Sequence, residues 1–210
     1  MADKDLSWKF AEEFVVEGEA IAAARANSLE HGVEPVSPSQ GAQLAVLAAA
    51  TNARAIIEVG TGFGVSGLWM FTGAPEATLT SIDIELDYQH FAKRAFAEFG
   101  VPANRARLIA GRALEVLPRM NESSYDLVLV DADPGSIIEY VEHALRLVRV
   151  GGTVVVPHAL WRGRVADPAQ RDDTVSDFRT LLTEIAGSTA VLSALSLAGD
   201  GLLQLTRVSN

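Results

Sequence analysis

The chain has no cysteine among its 210 residues, which excludes disulfides, thiolate zinc centres and a thiol nucleophile together. Cationic side chains are also short in supply: 17 Lys and Arg stand against 27 Asp and Glu, for a formal net charge of −10. A protein that grips a polyanion shows a basic footprint, and this chain shows the reverse. Nucleic acid is therefore not the expected main partner. Long apolar runs are missing as well. The best candidate for a membrane span, residues 59–75, is uncharged but holds five glycines between Gly60 and Gly73, which reads as a turn entering a helix and not as ~20 lipid-facing residues. The start, Met1-Ala2-Asp3-Lys4-Asp5, lacks the basic and apolar regions of a secretory signal. The expectation is a soluble cytoplasmic protein with no membrane partner.

What the chain does have is apolar content. At 49 % hydrophobic residues and 21 % charged, it can bury a sizeable core, and disorder is excluded. Its length corresponds to about 1.4 average domains, so one domain is expected, with residues 1–54 as a helical cap and 55–210 as the core.

Alternation is the organising pattern. Short β-branched apolar runs fall at 55–59, 78–82, 107–110, 125–130 and 153–156, with helical spacing between them. Residues 86–99 carry Phe91, Ala95, Phe96 and Phe99 on one stripe, and Gly100 follows as a stop. Residues 137–148 space Ile138, Val141, Leu145 and Val148 by three and four. Asp167-Pro168 predicts a further helix start, with Gly187 as its end. Strands separated by helices mean a parallel sheet covered on both faces. Ahead of the first strand, 7–31 reads as one long amphipathic helix and 39–51 as a second, both able to cover the mouth of the sheet. At the other end, 190–197 and 202–208 flank Gly199-Asp200-Gly201, a β-hairpin signature. The expected architecture is α/β, seven strands, mostly parallel, closing on an antiparallel hairpin.

Chemistry concentrates where the first strand ends. Glu58-Val59-Gly60-Thr61-Gly62-Phe63-Gly64 joins that strand to a helix. Glycines allow a sharp turn and close approach of a ligand to the backbone, and a helix N-terminus offers N–H groups to an anion. Asp83 ends the second strand 23 residues after Gly60, where a ribose diol would be held. These point to an adenosine-containing ligand. Glu58 then discriminates: its carboxylate would repel the pyrophosphate of a nicotinamide cofactor and attract the ammonium of a methionine moiety. S-adenosylmethionine is the reading, with an NAD-linked oxidoreductase kept as the rival. Glu58 and Asp83 could equally be acids that only cap the turn and helix. Asp131 and Asp133 follow the fourth strand, at the edge where such sheets bind ligands.

Taken together, Ile57-Glu58-Val59-Gly60-Thr61-Gly62-Phe63-Gly64-Val65-Ser66, Ser81-Ile82-Asp83-Ile84, Leu129-Val130-Asp131-Ala132-Asp133 and Ala159-Leu160-Trp161-Arg162-Gly163 resemble the class I methyltransferases. More narrowly, they resemble the catechol and caffeoyl-CoA type O-methyltransferases (family 3). The resemblance spans nearly the whole chain and implies a Rossmann-like fold, a homodimer and methylation of a small hydroxylated, aromatic or similar, substrate. By the same similarity Val36, Glu58, Gly60, Thr61, Ser66, Asp83, Ala113 and Asp133 would contact S-adenosylmethionine. Glu58 would meet the amino group, Ser66 the carboxylate, Asp83 the ribose and Ala113 the adenine surround, while Asp131 faces metal or substrate.

One part of the pattern breaks. The family binds a divalent cation through the aspartate after the fourth strand and an Asp-Asn pair after the fifth, and here Pro157 and His158 replace that pair. The lysine that some members use as base is Pro134. Magnesium needs several oxygen ligands near octahedral geometry, so no metal ligand is assigned. His158 becomes the candidate base, since imidazole titrates near neutrality; a purely structural histidine is the alternative. Trp161 reads either as an acceptor wall or as packing on the strand exit. Arg162, Arg164 and Arg171 form a basic island that either steers an anionic substrate or is a solvated loop. A degenerate member that binds the cofactor without turnover also remains open. Base methylation of DNA is disfavoured, because Asp131-Ala132-Asp133-Pro134-Gly135 lacks the Pro-Pro-aromatic loop such chemistry uses.

Overall fold

The computed structural model describes residues 4–209. Seven strands form one sheet in the order β3-β2-β1-β4-β5-β7-β6. They are β1 (Ala55–Val59), β2 (Thr78–Asp83), β3 (Ala106–Ala110), β4 (Tyr125–Val130), β5 (Val148–Pro157), β6 (Val191–Ser196) and β7 (Leu202–Arg207). The first five run parallel, and β7 pairs antiparallel with both β5 and β6. The mostly parallel sheet with a closing hairpin is the architecture that the alternation of runs predicted.

The β-branched runs are buried on both sides because successive residues point to opposite faces. Ile57, Val59, Val128, Val130, Val154 and Val156 meet Val141, Ala144, Phe178 and Leu181 on one face. Ile56, Leu127, Leu129 and Val155 meet Leu44, Leu68, Met70 and Phe96 on the other. The first set comes from α7 (Ile137–Leu147) and α8 (Asp173–Gly187); the second from α3 (Pro38–Ala50), α4 (Val65–Gly73) and α5 (Leu86–Phe99). Each fully buried large side chain contributes on the order of 1.5–3 kcal/mol, so two such layers supply most of the stabilisation. Asp126 ties the sheet at its amino edge. Its carboxylate accepts from the backbone N–H groups of Arg54 and Ala55 at 2.7 and 2.9 Å and from Arg149 Nε at 2.7 Å. Burial would raise its pKa, but these donors outweigh that and hold the carboxyl below the usual range.

Four expected boundaries move. The single helix over 7–31 is two, α1 (Lys4–Glu13) and α2 (Glu19–Glu30). Gly18 is extended (φ −67°, ψ 157°) between them, and Glu17 turns back to form a two-point pair with Arg25. The next helix begins at Pro38 and not at 39, because Ser37 and Gln40 close a capping box around it. The Asp167-Pro168 signal makes a turn, with Asp167 Oδ1 accepting from Ala169 N at 2.9 Å. The helix starts only at Asp173, where Asp172 caps Val175 N. The fifth strand also begins earlier, at Val148, so the helix before it ends at Leu147. Between β3 and β4 lies a short helix, α6 (Ala113–Val116), which carries no periodicity long enough to read.

The chain order fixes where a ligand can sit. From β1 the chain steps outward through β2 and β3, then returns to β4 on the opposite side of β1. The connections therefore diverge above the carboxyl ends of β1 and β4, the switch point at which open α/β sheets bind ligands.

Candidate functional site

Gly60 and Asp131 close the two strands at that point. Gly60 N donates to Ile82 O and Asp131 N to Val59 O, both at 2.8 Å, which locks the turn against its neighbours on both sides. A Cβ on Gly60 would lie 1.7 Å from the Asp131 carbonyl oxygen, and its φ of +94° lies in the left-handed region. Only glycine fits there, so this residue has a steric reason independent of any ligand.

Asp83 organises the turn. Its Oδ2 accepts from the N–H groups of Thr61 (2.8 Å) and Gly62 (2.9 Å), and its Oδ1 from Glu85 N (2.9 Å). A carboxylate has about four acceptor positions, so one is left toward the cleft that Asp83 lines. The capping reading of Asp83 is the one the geometry shows, and it leaves an acceptor position unused.

Glu58 sits differently from the expected ammonium contact. It is fully buried under the turn, with both oxygens taken: Ser66 Oγ donates to Oε1 and Ser81 Oγ to Oε2, each at 2.5 Å. Register places Ser81 directly beside it across the β1–β2 pair, and Thr61 Oγ1 shares the Ser81 hydroxyl at 2.7 Å. Burial raises the Glu58 pKa to about 8, against the two serine hydrogen bonds that lower it; Asp131 and Asp83 push it further up. Glu58 is thus linked to the cleft through Ser66, whose hydroxyl it engages and which lines the smaller cavity.

Two cavities meet at this turn. One of about 430 Å³ is lined by Gly60, Asp83, Tyr88, Ala113, Asp133 and Tyr140, among others. A smaller one of about 90 Å³ lies beside Val36, Thr61 and Ser66, and both touch Val33, Gly60, Gly62 and Asp131. Seven of the eight expected cofactor residues therefore line one continuous cleft, and Glu58 lies beneath it. The segment between α2 and α3 reaches over it with Val33, Glu34, Pro35 and Val36. Asp133 stands at the rim, where its carboxylate accepts from Ser136 Oγ at 3.0 Å.

Beside Asp131, which lines both cavities, lies a second ionisable cluster. His158 follows β5 in a left-handed conformation (φ +58°), as do Trp161 (+45°) and Arg162 (+57°). Non-glycine residues in that region cost of order 1–3 kcal/mol each and persist only where the surroundings hold them. His158 Nδ1 lies 2.6 Å from Asp200 Oδ1, and Nε2 lies 3.8 Å from Asp131 Oδ1. Burial disfavours the imidazolium, yet the Asp200 hydrogen bond and the charges of Asp131, Asp200 and Glu34 raise the His158 pKa above 6.5. Asp131 is raised by burial and Asp200, against the lowering effect of His158. Asp200 is lowered, since its bonds to His158 and to Arg162 N outweigh burial.

Of the two readings of Trp161, the geometry shows the packing one: its indole stacks on Phe178 at 5.7 Å and 25°, fastening the strand exit to α8. The basic island is also committed: Arg162 pairs with Glu34, and Arg164 with Asp172. Mg²⁺ does not fit the donor set beside Asp131. Pro157 brings no side-chain donor, His158 has one nitrogen engaged by Asp200, and Mg²⁺ wants six oxygens. Among the described residues no group of three His, Asp or Glu is gathered to hold a metal.

Asp200, Ser81 and Glu34 were not singled out from the sequence. Asp200 had a usable signal. A hairpin whose second strand runs antiparallel to β5 must put its turn at the carboxyl edge of the sheet, and an aspartate sits in that turn.

Residues 15–208 match the family model described as O-methyltransferase. A relative from Mycobacterium sp. (strain JLS), provisionally named an O-methyltransferase, is 45 % identical over 198 residues, covering 94 % of this chain and 90 % of that one. A similarly named relative from Mycolicibacterium vanbaalenii is 46 % identical, covering 94 % and 88 %. Among solved structures, the O-methyltransferase TomG from Streptomyces achromogenes, involved in tomaymycin synthesis and solved with S-adenosylmethionine, superposes with a TM-score of 0.84. It is 31 % identical, over 98 % of this chain and 96 % of that one. A Corynebacterium glutamicum protein gives a TM-score of 0.90 at 29 % identity over 99 % of each.

Proposed function

Because the chain belongs to the O-methyltransferase family, we propose that it methylates a small hydroxylated acceptor from S-adenosylmethionine without a divalent cation, with His158 as base. The single observation that carries this is the imidazole beside Asp131, a residue that lines both cavities: one nitrogen is held by Asp200, and the other lies 3.8 Å from Asp131 Oδ1. Family membership sets the nicotinamide alternative aside.

The cleft suits the cofactor in shape and charge. Asp83 offers its remaining acceptor position to a ribose, Ala113 and Tyr140 line an apolar end for adenine, and Ser66 and Asp131 suit an ammonium. When bound, S-adenosylmethionine supplies an electrophilic methyl group on a sulfonium. The chain's own part is to position and to accept a proton. An acceptor hydroxyl placed against His158 Nε2 would give its proton to the imidazole as its oxygen took the methyl group and S-adenosylhomocysteine was released, with Asp131 beside the imidazolium.

The sign of the pH dependence follows. Only the neutral imidazole is a base, so methyl transfer rises with pH through the His158 pKa, and that pKa lies above 6.5 under the influence of Asp200, Asp131 and Glu34. A pH–rate profile on a panel of phenols and catechols tests this. A rise with a midpoint above 6.5 is expected; a rate that is flat from pH 6 to 9 would remove His158 from the proton transfer.

The same reading makes the protein a cytoplasmic homodimer of single-domain subunits, with residues 1–54 as cap and a small molecule, not nucleic acid, as acceptor. The net charge of −10 supports the last point. For the dimer, Phe14 beside α1, Val46 on α3 and Leu197 are exposed and line an apolar groove of about 850 Å³.

A further inference from the structure

The β6–β7 turn lies far from the cofactor turn in sequence, yet it meets the loop after β5 through the carbonyls of Asp200 and Gly201 and through the Asp200 carboxylate. Leu160 N donates to Asp200 O at 2.9 Å and Ala159 N to Gly201 O at 3.1 Å. Gln40 Nε2 donates to Gly201 O at 3.3 Å from α3. A Cβ on Gly201, whose φ is +104°, would meet the Leu160 backbone nitrogen at 2.7 Å, so turn and loop are in close contact. Asp200 uses its two carboxylate oxygens on two different residues of that loop: Oδ1 on His158 Nδ1 at 2.6 Å and Oδ2 on Arg162 N at 3.1 Å. His158 and Arg162 are both left-handed, so the carboxylate bridges the two strained ends of one short segment.

Resting on the methyl-transfer reading, we propose that Asp200 is the positioning residue of this site, acting through His158. A carboxylate accepts and does not donate, so it selects the imidazole tautomer with the proton on Nδ1. The lone pair is then on Nε2, the nitrogen on the Asp131 side, 3.8 Å from Asp131 Oδ1 and beyond hydrogen-bond reach of it. In the other tautomer the lone pair would point at Asp200 and be useless to an acceptor hydroxyl. Asp200 also fixes the ring plane, since Oδ2 is anchored on the backbone and cannot follow a rotating side chain. The hairpin thus supplies an orienting group in a site whose donors beside Asp131 do not suit Mg²⁺.

A carboxylate that merely staples the loop to the hairpin would leave the tautomer free, which gives the test. Histidine-labelled protein is studied by long-range ¹H–¹⁵N NMR at alkaline pH, free and saturated with S-adenosylhomocysteine, with His158→Gln assigning the signal. In the wild-type chain the proton is expected on Nδ1. In Asp200→Ala it moves to Nε2, the commoner form in water, and methyl transfer on the phenol and catechol panel falls by about 100-fold or more in kcat with KM for S-adenosylmethionine unchanged. A proton on Nε2 in the wild-type chain overturns the proposal without any variant having to fold. So does an Asp200→Ala chain that keeps the Nδ1 tautomer. Failure of S-adenosylhomocysteine to bind, followed by calorimetry on the same samples, would count against the cofactor reading instead, and the tautomer of the free chain would still decide the role of Asp200.

Discussion

His158→Ala is expected to lower methyl transfer by about 10²–10⁴-fold, the range that a positioned general base contributes, while S-adenosylhomocysteine binds as before. The separation follows from placement. His158 lines neither cavity beside the glycine turn; it stands on the loop after β5, with Asp131 between it and Gly60. Removing it takes away the proton acceptor and leaves Asp83, Thr61 and Ser66 in place. It also leaves Asp131 without the neighbour that lowers its pKa, so the acceptor end becomes less able to carry charge and the loss reaches past the missing base. Kinetics on the hydroxyaromatic panel with parallel calorimetry check this. Full activity in the variant would eliminate the imidazole from the mechanism; equal loss of binding would make it a residue of the cofactor cleft.

Gly60→Ala acts at the opposite end of the site and on both folding and binding. The new methyl would have to occupy a point 1.7 Å from a backbone carbonyl oxygen, and no rotamer relieves a clash with backbone. Either β1 and β4 separate at their carboxyl ends or the turn rebuilds. The left-handed φ adds strain in any case. A destabilisation of about 3–5 kcal/mol is expected, which for a chain of this length lowers Tm by roughly 6–20 °C, together with a loss of S-adenosylhomocysteine affinity of about 100-fold or more. Gly62→Ala is the control. Its φ is also positive, +48°, but nothing lies within 4 Å of the added Cβ, so it carries strain without a clash and costs about 1 kcal/mol. Thermal denaturation and calorimetry on the pair separate steric closure of the switch point from backbone strain. Equal effects of the two substitutions would contradict the close approach of Gly60 to β4.

Much of the fold was legible because the strands of a buried parallel sheet are written as short β-branched runs, and 125–130 or 55–59 cannot be read as anything amphipathic. The helical boundaries were less so. A break between α1 and α2 depends on Glu17 turning back to Arg25, a tertiary preference that outweighs a continuous helical stripe. Asp167-Pro168 has every local feature of a helix start, and Asp172 wins because Arg179 then reaches the carbonyls of Val165, Asp167 and Gln170. The glycine turn and the acid ending β2 were readable from spacing, since each is local in its motif, while the fuller set of cofactor residues rested on the family resemblance. Glu58 was placed at the right strand end, but its serine partners were not foreseen. Alternation puts it on the face of Ile56, under α4, and Ser81 joins it only through strand pairing. Asp200 was the harder case: a residue 42 positions from His158 in the chain becomes its nearest acidic partner only when β7 inserts between β5 and β6.

The most direct test of the account is the initial rate of methyl transfer by the wild-type chain in EDTA, compared with the same sample after excess Mg²⁺ is added. A site built on His158, Asp200 and Asp131 predicts equal rates in the two conditions. A rate that is absent in EDTA and restored by Mg²⁺ would contradict it, and would mean that the cleft gathers oxygen ligands which Pro157 and His158 do not provide.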